Sequence, residues 1–172
     1  MEYTDIIKNR YSVRSYSDKK ITEEELHYIL EAAKYAPTAK NKQPHKIYVL
    51  KSDEAIEKIN SLCKCIFGAK TVLMVCYDKN EEWTSPLGDN FQSGLVDSTI
   101  VCDQMMLAAW NIGIGSCWVG YFNHNEVEKA FNLPENIKIN SLLLLGYPSE
   151  DSKPMESKHS VYRPMEEIIT EL

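Results

Sequence analysis

Arginine is scarce in this chain of 172 residues: Arg10, Arg14 and Arg163 are the only three, against sixteen lysines. Other features are missing altogether. No apolar run approaches the roughly 20 residues that span a bilayer, so no membrane association is expected. The acidic start, Met1 to Asp5, lacks the apolar stretch of a signal peptide. The five cysteines are odd in number and form no C-x-x-C, which points to a reduced, cytoplasmic setting. Cys63 and Cys65 make a C-x-C with no second Cys or His pair nearby, and read as buried or free thiols and not as metal ligands. With a net charge of −6 and no basic run interleaved with aromatics, nucleic acid is not expected as a partner. No G-x-S-x-G elbow is present, and no repeat, low-complexity tract or linker divides the chain. A length of 172 residues at 44% hydrophobic content fits one domain, residues 1–172, with a core of its own.

Helices and strands are mixed without regular β-α-β alternation, which indicates an α+β fold with helices around one sheet. Thr4 is positioned to cap a short helix carrying Ile6 and Ile7. Thr22 and Glu25 form a capping box. Behind them Leu26, Ile29, Leu30 and Ala33 keep helical spacing to about Tyr35, and Pro37 stops the helix. Strands are expected at Lys46–Leu50, Thr71–Tyr77, Ser116–Tyr121 and Ile139–Leu145. Ser52 or Asp53 caps one further short helix and Asn123 another. Residues 78–91 read as a loop. Residues 93–111 are apolar on more than one face, as a central helix buried on several sides would be. The tail from Ser149 to Ser160 is polar and expected to be extended, with an apolar pattern resuming over Glu166–Leu172.

Three segments bear chemistry. Arg10-Tyr11-Ser12-Val13-Arg14 places two of the rare arginines around a hydroxyl. The planar guanidinium fork suits phosphate and other planar acceptors better than an ammonium does, although ordinary surface charge would also explain the pair. Ala36 to His45 joins a helix to a strand and packs hydroxyl, amide and amine side chains between two prolines. Amides read the edge of a heterocycle, and a plain connector is the alternative. Gly113 to Gly120 has a G-x-G, but it follows a helix and precedes a strand, the reverse of a dinucleotide-binding turn. There the glycines give room for a flat ligand. Cys117 with His45, His124 or His159 would be the material for a Cys/His hydrolase, but no spacing joins them.

Taken in order, these segments resemble the nitroreductase family of FMN-dependent oxidoreductases. The match runs through R-x-S-x-R (Arg10, Ser12, Arg14), A-P-T-A-x-N-x-Q-P (Ala36 to Pro44) and L-A-A-x-x-x-G-x-G-S-C-W-V-G (Leu107 to Gly120). It ends with L-G-Y-P (Leu145 to Pro148) and Arg163-Pro164. The resemblance implies an α+β nitroreductase-like fold with a central mixed or antiparallel sheet flanked by helices. It implies an intertwined homodimer in which residues 149–172 wrap the partner, with FMN at two interface sites. Cofactor-binding residues would be Arg10, Ser12 and Arg163 at the phosphate, Tyr11 within the same segment, and Arg14 at the N1/C2 side of the ring. Pro37, Thr38, Ala39, Asn41 and Gln43 would form a loop at the pyrimidine edge that can serve the partner's site. Trp118, Val119 and Gly120 would lie near N5. No catalytic side chain or metal is then needed, because the hydride chemistry belongs to N5. A ping-pong reaction is implied, with NADH or NADPH as donor and nitroaromatics, quinones or similar small electrophiles as acceptors. A flavin-binding sensor or store, flavin destruction and reductive dehalogenation are the alternatives. Two features depart from the family pattern. His45 stands where many relatives have an aromatic after Gln-Pro. The 78–91 stretch is too short for the large helical insertion of longer members, so a more open site is expected, with Trp83 and Phe91 at its edge.

Overall fold

Two apolar runs, Val72–Tyr77 and Leu142–Leu145, lie in the two central strands. The computed structural model describes all residues, Met1–Leu172. It has a single antiparallel sheet in the order β1-β2-β4-β3. The strands are β1 (His45–Leu50), β2 (Thr71–Asp78), β3 (Gly115–Val119) and β4 (Ile137–Gly146). Alternation along the central pair sorts the side chains to two faces. Val72, Met74, Leu142 and Leu144 enter one core with Ile59 and Val127 of helices α3 (Asp53–Leu62) and α5 (His124–Ala130). Leu73, Val75, Leu143 and Leu145 enter a second core with Ile29 and Met105 of helices α2 (Glu23–Lys34) and α4 (Gly94–Asn111). A strand covered on both faces has no solvent side to fill with polar residues, so its run of apolar residues is unbroken.

Helix boundaries follow their caps. Thr22 and Glu25 complete both halves of the capping box on α2, and Ser52 and Asn123 cap α3 and α5 through their side chains. Helix α1 (Tyr3–Asn9) corrects the sequence reading. Glu2 stands at its N-cap without a side-chain bond, because the Glu2 carbonyl already accepts from the Asp5 and Ile6 amides at 3.0 and 3.1 Å. Thr4 is therefore inside the first turn and caps nothing. β4 also starts two residues early, at Ile137. Ile137 and Lys138 pair with Asp78 and Tyr77, and Lys138 breaks the apolar run only because it turns outward to Glu128, at 2.9 Å. The tail is not wholly extended: Glu156–His159 makes one helical turn, α6, and Met165–Ile168 another, α7. No helix is long and apolar enough to cross a membrane.

Candidate cofactor site

The arginine segment is laid on the sheet edge by its own alternation. After α1 the backbone of Arg10 turns extended. From there Ser12 bridges Ser116 in parallel, and the Val13 amide donates to the Ser116 carbonyl at 2.8 Å. Val13 is fully buried. A Cβ on Gly115 would stand 2.6 Å from Val13 Cγ2, so only glycine there lets the segment lie this close. With Val13 turned inward, Arg10, Ser12 and Arg14 share the other side. They line a cavity of about 220 Å³ with Tyr11 and, from the tail, Met155, Lys158, His159 and Tyr162. Tyr11 fastens the two halves: it sits edge-on to Trp110 at 5.3 Å, and its hydroxyl donates to the Ser152 carbonyl at 3.2 Å. Arg14 Nη1 donates to the Ser12 carbonyl at 3.1 Å, which fixes the direction of its side chain.

The cavity is electrostatically one-sided. The ion pairs of the molecule, Lys51–Glu23 and Lys138–Glu128, involve lysines only. Arg10, Arg14 and Lys158 thus meet in one cavity with no acid among its lining residues. Cations gathered without a partner repel one another, and an anionic ligand removes that cost. Arg163 lies elsewhere, on the exposed tail one residue beyond Tyr162.

The loop of residues 36–44 is built quite differently. Three of its residues that are not glycine occupy the left-handed region: Lys40 at φ 53°, Asn41 at φ 53° and Gln43 at φ 49°. Thr38 Oγ1 accepts from the Gln43 amide at 3.0 Å, and the Ala39 amide donates to the buried Asp97 carboxylate at 2.9 Å. Pro37, Asn41 and Gln43 are exposed, while Thr38 and Ala39 are half-buried. Asp97 lies in the first turn of α4, whereas Trp110, which packs on Tyr11, lies in the last. Thirteen residues at 1.5 Å each separate them by about 20 Å along the helix.

Trp118 packs partly buried on the α2/α4 face of the sheet, and Val119 points into the opposite core, so Val119 can offer a ligand only its backbone. Gly120 is exposed, and a Cβ there would meet nothing within 4 Å. Tyr16 lies beside these elements, with its hydroxyl buried and without a partner. Burial raises its pKa far above the ordinary phenol value. Cys117 is buried, and burial pushes its thiol up against the pull of Arg14. The candidate bases are placed elsewhere, His124 stacked on Phe122 and His159 edge-on to Tyr11. A Cys/His hydrolase is not assembled.

Sequence reasoning missed Lys158, His159 and Tyr162 at the cavity because the tail reads as featureless polar chain. It also missed Asp97 and Ser93, whose signal is a serine at the N-cap and an aspartate four residues on, in the first turn of the central helix.

Known proteins share this architecture. The Nitroreductase family model matches residues 7–67 and 60–147. A nitroreductase family protein from Clostridium difficile, solved by crystallography, superposes with a TM-score of 0.91 at 36% identity, over 99% of this chain and 98% of its own. A relative from Archaeoglobus fulgidus, provisionally named NADH dehydrogenase/NAD(P)H nitroreductase, is 32% identical over 85% of each chain. An FMN reductase (NADPH) from Bacillus subtilis is 25% identical over 91% of this chain and 70% of its own. The matched span holds the arginine segment, the strained loop and the glycine-edged strand whose geometry singled them out, and the chain belongs to the nitroreductase family.

Proposed function

We propose that this chain is an FMN-dependent NAD(P)H oxidoreductase acting on small electrophilic acceptors, nitroaromatics and quinones among them. The observation that supports this most is the acid-free cavity of Arg10, Arg14 and Lys158 around the Ser12 hydroxyl. A dianionic phosphate fits that donor set, since guanidinium forks and a hydroxyl supply short charge-assisted bonds. FMN, when bound, supplies hydride exchange at its N5 between NAD(P)H and the acceptor. The chain supplies binding and electrostatics. Arg10 and Ser12 would hold the phosphate, joined by Arg163 of the tail, with Tyr11 forming the wall beside them while its hydroxyl stays on the Ser152 carbonyl. Arg14, steadied by the Ser12 carbonyl, would stabilise negative charge at the N1 side of the ring. Trp118, Val119 and Gly120 would lie near N5, where the open space around Gly120 leaves room for a flat ligand.

Pro37, Thr38, Ala39, Asn41 and Gln43 would meet the pyrimidine edge of a flavin, but not of the flavin held by their own chain. A gap of about 20 Å along α4 exceeds what one FMN spans between that edge and its phosphate. Two chains with antiparallel α4 helices would bring the loop of one beside the arginines of the other. The exposed apolar residues favour such a dimer: Leu95 and Val96 on α4, and Val161, Tyr162, Met165, Ile168 and Ile169 along the tail. Exposed apolar residues gathered on a helix and a tail in this way mark a surface suited to a protein partner. The tail, residues 149–172, would wrap the partner.

The test is spectroscopic. The purified protein should be yellow, or become so with added FMN, and should bleach under anaerobic conditions with NADH or NADPH and recover with a nitroaromatic or quinone. A colourless protein that takes up no FMN rejects the reading. FMN that binds but resists both donors leaves only a flavin-binding protein.

A further inference from the structure

Two loops of the chain meet on one buried carboxylate. Asp97 is 2% exposed and has no basic partner. Its Oδ1 accepts from the Ala39 amide at 2.9 Å, and its Oδ2 accepts from Ser93 Oγ at 2.7 Å. Ser93, 1% exposed, accepts on that same oxygen from the Trp83 amide at 3.1 Å, and its own amide donates to the Trp83 carbonyl at 2.9 Å. Glu82 completes the junction by accepting from the Gly94 amide at 2.8 Å. A side chain at Gly94 has no space, since its Cβ would meet a Tyr77 ring carbon at 2.2 Å.

A buried carboxylate without a cation is costly, and hydrogen bonds together with the positive end of α4 are what make it tolerable here. Its placement accounts for that cost. Left-handed backbone is unfavourable at a residue that is not glycine, and Lys40, Asn41 and Gln43 adopt it within four residues. Such a turn persists only where its surroundings over-determine it. The Ala39–Asp97 bond is the side-chain bond that ties this turn to the body of the molecule. Through Ser93 the same carboxylate reaches the 83–91 loop, where Trp83 and Phe91 pack at 6.1 Å.

We propose that Asp97 and Ser93 are positioning residues that set the Thr38–Gln43 turn for its contact with the flavin edge and lock it in register with the Trp83–Phe91 loop. This rests on the FMN reading above. Neither side chain touches the cofactor. They act through the Ala39 and Trp83 amides, so that the strained turn is already shaped before a ligand arrives.

The experiment measures amide hydrogen exchange in the FMN-free protein, then FMN affinity and the visible circular dichroism of the bound flavin, for wild type, Asp97→Ala, Asp97→Asn and Ser93→Ala. Asp97→Ala should lose exchange protection at Ala39 and weaken FMN at least tenfold with an altered dichroism band. Asp97→Asn, which keeps an acceptor for the Ala39 amide, should restore most of both. Ser93→Ala should lose protection at Trp83 and weaken FMN a few-fold. If Asp97→Ala does not fold, Ser93→Ala decides. The proposal is overturned if Asp97→Ala keeps wild-type exchange at Ala39 or Ser93→Ala keeps it at Trp83, or if protection is lost with FMN affinity and dichroism unchanged. Wild-type protein that binds no FMN rejects the flavin reading instead, while the exchange data still report whether the carboxylate shapes the turn.

Discussion

On the proposed reading the Arg10–Arg14 segment and the 36–44 loop serve one ligand, yet they are held by opposite means. The first lies in relaxed extended backbone against β3, ordered by the Val13–Ser116 bond and by the room that Gly115 leaves. The second is bent through three left-handed residues and held by a buried carboxylate. A phosphate grip needs charge and donors but tolerates a plain backbone. A ring edge must be met by particular backbone groups at particular angles, and the strain is found there. The two regions also lie at opposite ends of α4, so on the proposed reading two chains would complete one site.

That last inference has the largest expected effect and is the easiest to break. An Arg10→Ala chain and an Asn41→Ala chain should each bind FMN poorly as homodimers. Mixing them by co-expression should restore one sound site per heterodimer, because both lesions fall in the same site. Mixed protein that binds no better than either parent means that each chain builds its own site.

The arginine segment itself is probed by conservative exchange. Arg10→Lys keeps the charge and loses the fork, and charge-assisted hydrogen bonds are worth about 1.5–3 kcal/mol, so FMN binding should weaken about tenfold or more in a fluorescence titration. Arg163→Lys should act in the same direction. Arg14→Lys should instead leave affinity near wild type and lower the flavin reduction potential. Unchanged retention and activity in all three would reduce the scarcity of arginine to coincidence.

Thermal unfolding sharpens the contrast in backbone. Gly115→Ala should destabilise by about 1–3 kcal/mol through overpacking against Val13. Lys40→Gly should relieve about 1–2 kcal/mol of left-handed strain against about 0.5–1 kcal/mol of added chain entropy. A small gain is expected, opposite in sign. Destabilisation at Lys40 would mean that the turn is not strained as described.

The smallest effect concerns pH. His45, at the end of the loop, has its pKa lowered below 6.5 by burial first and then by Lys46, with Asp97 opposing. The folded chain therefore binds fewer protons than the unfolded one in the window just below pH 6.5. Stability should be fully present above that value and decline as pH falls through the folded pKa. His45→Gln should flatten that part of the melting-temperature profile, and an identical slope in the variant would assign it to other groups.

Much of this was legible in advance. Capping residues marked α2, α3 and α5, and apolar runs marked β2 and the second half of β4, because local bonding and two-sided burial leave direct traces in residue type. The family motifs marked both segments that are proposed to bind the cofactor. The strain at Lys40, Asn41 and Gln43 was not legible, since none is a glycine and tertiary bonds impose the conformation. Lys158 was hidden for a related reason: only the fold returns the tail to Tyr11. Thr4 misled because a good capping residue two positions too late looks the same in sequence as one in place.

The central claim is that the arginine cavity recognises phosphate. The most direct measurement compares FMN with riboflavin, which has the same ring and lacks the phosphate, in wild type and in Arg10→Lys. FMN should bind the wild type far more tightly than riboflavin, and most of that preference should vanish in the variant while riboflavin affinity stays put. Equal affinities for FMN and riboflavin in the wild type, or a preference that survives the substitution intact, would contradict the account.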